Sequence, residues 1–188
     1  MIKIGITGSI ASGKTTASKI LSHKRGPLFS ADKVVKKFYS NENFIKLLIR
    51  EFNFKRKSNL RKLLKDRILK DKKNIKRLEK IIHPMVRREM KKFSNRHKKK
   101  NKTFYEIPLL IENKLMKFFN VIILIKAKKK TRLRRFQVKG GSKKLFAFLN
   151  NKQLSEQKKT KFSNHVVVNE KNLAILKKNL LSIINLYV

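Results

Sequence analysis

The segment GSIASGKTT at residues 8–16 constrains the fold of this chain more than any other feature. It fits the phosphate-loop pattern G-x-x-x-x-G-K-[ST], with Gly8, Gly13, Lys14 and Thr15 at the fixed positions. An apolar run precedes the loop and a helix-forming stretch follows it, which is the strand–loop–helix context that the pattern requires. The sequence therefore predicts a site that binds the phosphates of a nucleotide.

Each residue type in this loop has a physical role in binding phosphate. Glycines let the backbone pass close to the anion, and N–H groups at a helix N-terminus favour negative charge. We expect Lys14 to reach the outer phosphates and the Thr15 hydroxyl to bind Mg²⁺. The residues expected to contact the nucleotide are Gly8, Ala11, Ser12, Gly13, Lys14, Thr15 and Thr16.

Strand and helix signals alternate along the chain, which predicts a parallel sheet with right-handed crossovers. Buried strands are predicted at residues 2–6, 28–29, 103–107, 120–125 and 165–168. Helices are predicted at residues 14–22, 33–39, 128–138, 144–150 and 171–186. A purely helical stretch from residue 41 to residue 100 interrupts this alternation, so it is interpreted as an insertion on the α/β core. Within it, Pro84 is expected to bend or restart a helix.

Composition narrows the class of protein. The chain has no cysteine, which excludes disulfides and thiolate metal sites, and it shows neither a signal peptide nor a membrane-spanning apolar run. We therefore expect a cytoplasmic protein with no membrane partner. A net charge of +40, from 51 Lys and Arg against 11 Asp and Glu, attracts polyanions. Because the lysine clusters are not interleaved with aromatic residues, no specific nucleic-acid partner is predicted.

Two large classes of nucleotide-binding protein lack support in the sequence. The segment NKQL at residues 151–154 begins like the N-K-x-D motif of GTPases but ends in Leu. Motor-type ATPases carry a strand that ends in a magnesium-binding Asp, whereas the apolar strand at residues 121–125 is followed by Lys126. The remaining interpretation is a small phosphotransferase, whose chemistry needs positioning and charge neutralisation.

Two carboxylates are candidates for catalysis or metal binding beside the loop. Asp32 follows the second predicted strand, and ligands of open α/β sheets bind at the carboxyl ends of the strands. Its carboxylate could orient an acceptor hydroxyl or take its proton, or it could cap the following helix. Glu106, at the end of the next strand, could hold a metal through water, or it could have a surface or structural role.

Basic and imidazole side chains supply further candidates. Arg132, Arg134 and Arg135 open a segment interrupted by Gly140-Gly141, and arginines on such a flap would neutralise charge on the phosphates. The alternative is one more solvated basic face. His83, beside Pro84, is interpreted as a hydrogen-bonded residue at a helix break more readily than as a proton shuttle.

Several segments follow the loop in a characteristic order: SADKVV, LEKIIHPMV, EIPLLIE, RLRRF and VVVN, with Gln153 and Lys158-Lys159 before the last of them. In this order the chain resembles the dephospho-coenzyme A kinase family. The resemblance implies a P-loop kinase fold, with a parallel five-stranded sheet flanked by helices. It also implies a core of about residues 1–38, 101–130 and 162–188, a helical substrate-domain insertion of about 39–100 and a lid of about 131–161.

The resemblance further implies a reaction and the residues that carry it. ATP with Mg²⁺ would be the donor, and the ribose 3′-hydroxyl of dephospho-CoA the acceptor. Lys14, Asp32 and Arg134 would be catalytic, and Asp32, His83 and Pro84 would bind the acceptor. We expect a monomer or weak homo-oligomer. Two alternatives stay open: another small-molecule or nucleoside-monophosphate kinase, and a nucleic-acid-binding P-loop NTPase.

The chain departs from the family pattern at three places. Ser30 stands where the family usually has the first Asp of its D-A-D motif. The pair Ser163-Asn164 replaces the usual Ala-Asp before the last strand. The usual second lid arginine falls on Val138, so Lys139 or Arg135 is expected to substitute for it.

Overall fold

The computed structural model describes residues 1–55, 59–71 and 73–187. The chain divides into two compact units, which are described separately. Residues 1–30 and 97–188 form the first, called here the α/β unit, and residues 31–96 form the second, called the helical unit.

A parallel five-stranded sheet is the centre of the α/β unit. Its strands are β1 (Ile2–Gly8), β2 (Leu28–Ser30), β3 (Lys102–Glu106), β4 (Val121–Lys126) and β5 (His165–Val168). Their order in the sheet is β2-β3-β1-β4-β5, and every pairing is parallel. The five strands predicted from apolar runs are confirmed, since each run coincides with a strand to within two residues.

The central position of β1 follows from its burial. Ile4 and Ile6 of β1 are fully buried, as expected for a strand with a neighbour on each edge. Those neighbours are β3 and β4, which lie about a hundred residues later in the sequence. Because the carboxyl end of β1 lies between the ends of β3 and β4, the residues after Gly8 enter the crevice above the sheet.

Helices enclose this sheet. They are α1 (Lys14–Ser22), α6 (Lys129–Val138), α7 (Lys143–Asn151), α8 (Glu156–Thr160) and α9 (Leu173–Ile184). α1 and α9 pack against each other, and Ala17, Leu21, Leu176 and Leu180 join the strand side chains in one buried cluster. α8 is not predicted from the sequence, because its five residues carry no apolar periodicity.

The helical unit has its own core. Its helices are α2 (Ala31–Phe38), α3 (Glu42–Phe52), α4 (Leu60–Lys70) and α5 (Lys73–Arg96). Phe44, Leu48, Phe52, Leu60 and Leu64 form the buried cluster of this unit. In the described parts of both units, no helix combines the length and apolar character needed to cross a membrane.

Pro84 lies inside α5 and does not start a new helix. The expectation of a restart at this residue is therefore wrong. A proline removes one main-chain hydrogen bond from a helix, and apolar contacts on both sides can offset this loss. Here Ile81, Ile82 and Met85 all pack against the core cluster of the helical unit.

Candidate active site

The phosphate loop connects the end of β1 to the first turn of α1, as the motif requires. Ala11 and Gly13 have left-handed backbone angles, with φ of 58° and 96°. A Cβ atom on Gly13 would lie 2.2 Å from Nδ2 of Asn169, so both the angle and the space demand glycine here. A Cβ on Gly8 would lie 2.5 Å from the carbonyl oxygen of Ile125, at the end of β4.

The remaining loop residues differ in exposure. Lys14 is half-buried, whereas Thr15 and Thr16 are exposed at the start of α1. Ser12 is fully buried, and its hydroxyl has no hydrogen-bond partner among the residues described. Lys14 and Thr15 are therefore accessible at the start of α1, whereas Ser12 beneath them is closely packed.

Glu106 is the carboxylate that the α/β unit places beside the loop. It is only 2% exposed at the end of β3. Its Oε1 accepts a hydrogen bond from the Thr15 hydroxyl, and its Oε2 accepts one from the Ser30 hydroxyl at 3.0 Å. The surface role considered for Glu106 is therefore wrong, because the residue is buried and bonded to the loop.

These groups suit a hard cation. Mg²⁺ binds oxygen ligands and usually takes only one or two from protein, with phosphates and water completing its shell. The Thr15 hydroxyl and the Glu106 carboxylate offer such oxygens next to the phosphate loop. No group of three or more His, Cys, Asp or Glu that could hold a metal occurs in the described ranges. A site that phosphate oxygens complete fits the Thr15 and Glu106 oxygens found here.

Arg132 is a buried residue of the segment predicted as the lid. It is 5% exposed, its Nε donates to the carbonyl oxygen of Ala127 at 3.0 Å, and its Nη1 donates to Oδ1 of Asn150 at 2.8 Å. Burial lowers the pKa of the guanidinium, and Glu156, 3.5 Å away, partly opposes this. Arg132 therefore does not belong to a solvated basic face, and its guanidinium serves contacts within the protein.

Arg134 and Arg135 differ from each other in their surroundings. Arg134 is exposed, whereas the Nη2 group of Arg135 donates to the carbonyl oxygen of Asn169 at 3.0 Å. Nη1 of Arg135 is buried and has no hydrogen-bond partner within the described residues. Of the two, Arg134 is the more exposed side chain.

Glu170 stabilises the start of α6. Burial alone would raise its pKa, but hydrogen bonds from the Lys128 N–H and the Thr131 hydroxyl, together with the charges of Arg135 and Lys128, lower it below the ordinary value. The carboxylate is consequently ionised at neutral pH and fixes the segment that carries the arginines.

The chain is similar to known proteins in its sequence. A family model described as dephospho-CoA kinase matches residues 2–174. The chain belongs to the dephospho-CoA kinase family. A curated dephospho-CoA kinase from Bartonella henselae is 32% identical over 186 residues, which is 96% of this chain and 95% of that protein.

Solved structures share the fold. The crystal structure of TT1252 from Thermus thermophilus superposes with a TM-score of 0.82 at 28% identity, covering 100% of this chain and 98% of the other. A dephospho-CoA kinase from Campylobacter jejuni has a TM-score of 0.70 at 26% identity, covering 97% and 95% of the two chains. The P-loop kinase fold expected from the family resemblance is thereby confirmed.

Asp32 lies in the helical unit. It is an exposed residue in the first turn of α2, which begins at Ala31, so it occupies a helical position rather than the N-cap. A carboxylate in a first turn also interacts favourably with the helix dipole. The alternative that Asp32 is the N-cap is thus wrong. The catalytic role of Asp32 stays a prediction.

His83 and Pro84, which are expected to bind the acceptor, lie within α5. Pro84 is exposed and His83 is half-buried. Burial lowers the pKa of His83; Glu79 raises it and Arg87 lowers it further. The imidazole is therefore mainly neutral at pH 7, a form that can both donate and accept a hydrogen bond.

Three side chains outside the loop contact its backbone in ways that sequence reasoning did not predict. They are Arg132, Gln153 and Asn169, which bond to the main chain of Ile10 or Ser12. Gln153 and Asn169 both occur in the quoted family segments, which is the signal that could have identified them. Their partners were not predictable, because the contacts join positions more than a hundred residues apart.

Proposed function

We propose that the chain transfers the terminal phosphoryl group of ATP to the ribose 3′-hydroxyl of dephospho-CoA, giving CoA and ADP. The observation that carries the proposal is the family match over residues 2–174, with every fixed position of the phosphate loop intact. The cytoplasm and a monomeric or weakly associated state stay predictions, and light scattering tests the latter.

In this proposal the loop residues bind and orient the donor. Backbone N–H groups of the loop, such as those of Ala11 and Gly13, bind the phosphates, and the Lys14 ammonium contacts the outer ones. The Thr15 hydroxyl would hold Mg²⁺, and Glu106 would accept the hydrogen bond of that hydroxyl. When bound, the ion would neutralise charge on the phosphates. Glu106 keeps that hydroxyl oriented, since it accepts the Thr15 O–H.

Asp32 accepts the proton of the acceptor hydroxyl or orients it. Its support is its place two residues after Ser30, which itself bonds Glu106, and its exposed carboxylate. Arg134, the exposed arginine of α6, stabilises charge on the transferring group. His83 and Pro84 contact the acceptor, and the neutral imidazole supplies a hydrogen bond rather than a charge.

A coupled assay with ATP, Mg²⁺ and dephospho-CoA tests the reaction. We expect phosphorylation of dephospho-CoA and none of AMP, CMP or shikimate under the same conditions. Phosphate appearing on one of those three acceptors, and not on dephospho-CoA, would establish a different small-molecule kinase.

Replacing Asp32 tests its role separately. We expect Asp32→Asn to lower kcat at least about a hundredfold, because a positioned general base contributes roughly 10²- to 10⁴-fold. Asp66→Asn, at an exposed position of α4, is the matched control and should keep normal turnover. Full turnover of the Asp32 variant would show that another group handles the acceptor proton.

A further inference from the structure

The phosphate loop is bonded from outside by side chains of distant segments. Oε1 of Gln153 accepts the Ile10 N–H at 2.8 Å. Nη1 of Arg132 lies 3.5 Å from the Ile10 carbonyl oxygen, and Nδ2 of Asn169 donates to the Ser12 carbonyl oxygen at 2.9 Å. Within the loop, the Ser12 N–H bonds the Ser9 carbonyl oxygen at 3.1 Å.

These contacts determine which way the loop peptides point. A trans peptide bond places its C=O and its N–H on opposite sides, and no cis bond occurs among the described residues. Because the carbonyls of Ile10 and Ser12 point toward Arg132 and Asn169, the N–H groups of Ala11 and Gly13 point the other way. N–H groups oriented together in this manner form a concave anion site.

Gln153 is itself held firmly. Its N–H bonds the Asn150 carbonyl oxygen at 3.1 Å, and the Asn150 side chain is bonded to Arg132. The next residue, Leu154, donates its N–H to Oε1 of Glu112 at 3.1 Å, and the same oxygen lies 2.8 Å from Nζ of the fully buried Lys159. The side-chain carbonyl of Gln153 therefore approaches the loop from a segment that hydrogen bonds and a buried ion pair hold on both sides.

We infer that Gln153 is a positioning residue for the donor nucleotide, acting through the Ile10 peptide to keep the phosphate loop in its binding shape. Gln153 does not need to touch the nucleotide, because its acceptor oxygen is used by the Ile10 N–H. A leucine at this position would fill similar space but accept no hydrogen bond, which leaves the Ile10 N–H without its partner.

Hydrogen exchange of the nucleotide-free protein tests the inference without relying on activity. We expect Gln153→Leu to speed deuterium uptake in the peptide covering residues 9–13, with a melting temperature near that of the unchanged protein. Gln153→Glu retains an acceptor oxygen and should restore protection. Gln157→Leu, the same change at an exposed position of α8, is the control and should leave loop exchange unaltered.

Steady-state kinetics extends the test and rests on the proposed function. We expect Gln153→Leu to raise KM for ATP about tenfold, the effect of one lost hydrogen bond, and to leave KM for dephospho-CoA unchanged. Unaltered loop exchange and an unaltered KM for ATP would overturn the inference. If the protein did not phosphorylate dephospho-CoA, the exchange experiment would still decide the role of Gln153.

Discussion

Ser30 and Glu106 show how a departure from a family pattern is accommodated. Where the family usually has an aspartate, Ser30 supplies a hydroxyl that donates to Glu106. A second carboxylate here would repel Glu106, whereas a hydroxyl satisfies one of its oxygens and leaves the other for Thr15. Both oxygens of the buried Glu106 carboxylate are thus bonded by uncharged hydroxyl groups.

The pKa of His83 is predicted to respond in opposite directions to two neighbours on its own helix. Removing the favourable charge of Glu79 with Glu79→Gln should lower the pKa further, and Arg87→Leu should raise it. An NMR titration of the ring resonances measures both shifts. Equal pKa values in the two variants would show that burial alone controls this imidazole.

The same shift has a consequence for stability. Because folding lowers the pKa of His83 below its ordinary value of 6.5, the unfolded chain binds the proton more readily. The contribution of neutral His83 to the free energy of unfolding is complete above pH 6.5, the ordinary pKa that the unfolded chain keeps. It is lost as the pH falls through the lower pKa of the folded protein. Acidification below about pH 6.5 should therefore weaken the helical unit.

The contact between α8 and the segment after β3 depends on a buried ion pair. Nζ of Lys159 is 2.8 Å from Oε1 of Glu112, and Lys159 is fully buried. Removing one partner of such a pair leaves a buried charge uncompensated, whereas removing both charges is tolerated far better. α8, although only five residues long, is held by this interaction.

We predict that Lys159→Met lowers the free energy of unfolding by about 3–5 kcal/mol, the usual loss for breaking a buried pair. Adding Glu112→Gln should recover part of the loss, because glutamine keeps an acceptor for Leu154 and carries no charge. Urea unfolding of the single and double variants measures this, with the exposed Lys158→Met as control. A double variant less stable than Lys159→Met would contradict the argument.

The elements were predictable where the signal is local. Apolar runs located all five strands, because a parallel sheet buries both faces of its strands. α8 was missed, although Ser155 as its N-cap and Glu156 in its first turn are recognisable start signals. The contacts of Lys159 and Arg132 could not be predicted, because nothing in a basic segment says which cations become buried.

Carboxylates are scarce in the whole chain, and those of the α/β unit bond the phosphate loop or the segments around it. The α/β unit contains four of them, Glu106, Glu112, Glu156 and Glu170, and each bonds or pairs with a residue of the phosphate loop or of the segments that support it. The many remaining cations consequently have few acidic partners in this unit. The net charge of +40 therefore comes mainly from exposed lysines and arginines and not from the groups around the loop.

This charge predicts nonspecific adhesion to RNA. We expect single-stranded RNAs of unrelated sequence to bind with similar affinity, and the affinity to fall at least about a hundredfold between roughly 50 and 200 mM salt. Fluorescence anisotropy across a salt series measures it, while ATP hydrolysis in the presence of RNA is the control. Sequence-selective binding at high salt, or hydrolysis stimulated by RNA, would favour the nucleic-acid-binding class instead.

The strand order has a consequence for synthesis on the ribosome. β1 and the phosphate loop are translated before β3 and β4, their neighbours in the sheet, and before residues 132, 153 and 169, which supply the loop's outer contacts. A nascent chain therefore carries the complete motif long before it has the partners that shape it. Fragments released by premature termination would display an intact G-x-x-x-x-G-K-T signature and still lack a competent nucleotide pocket.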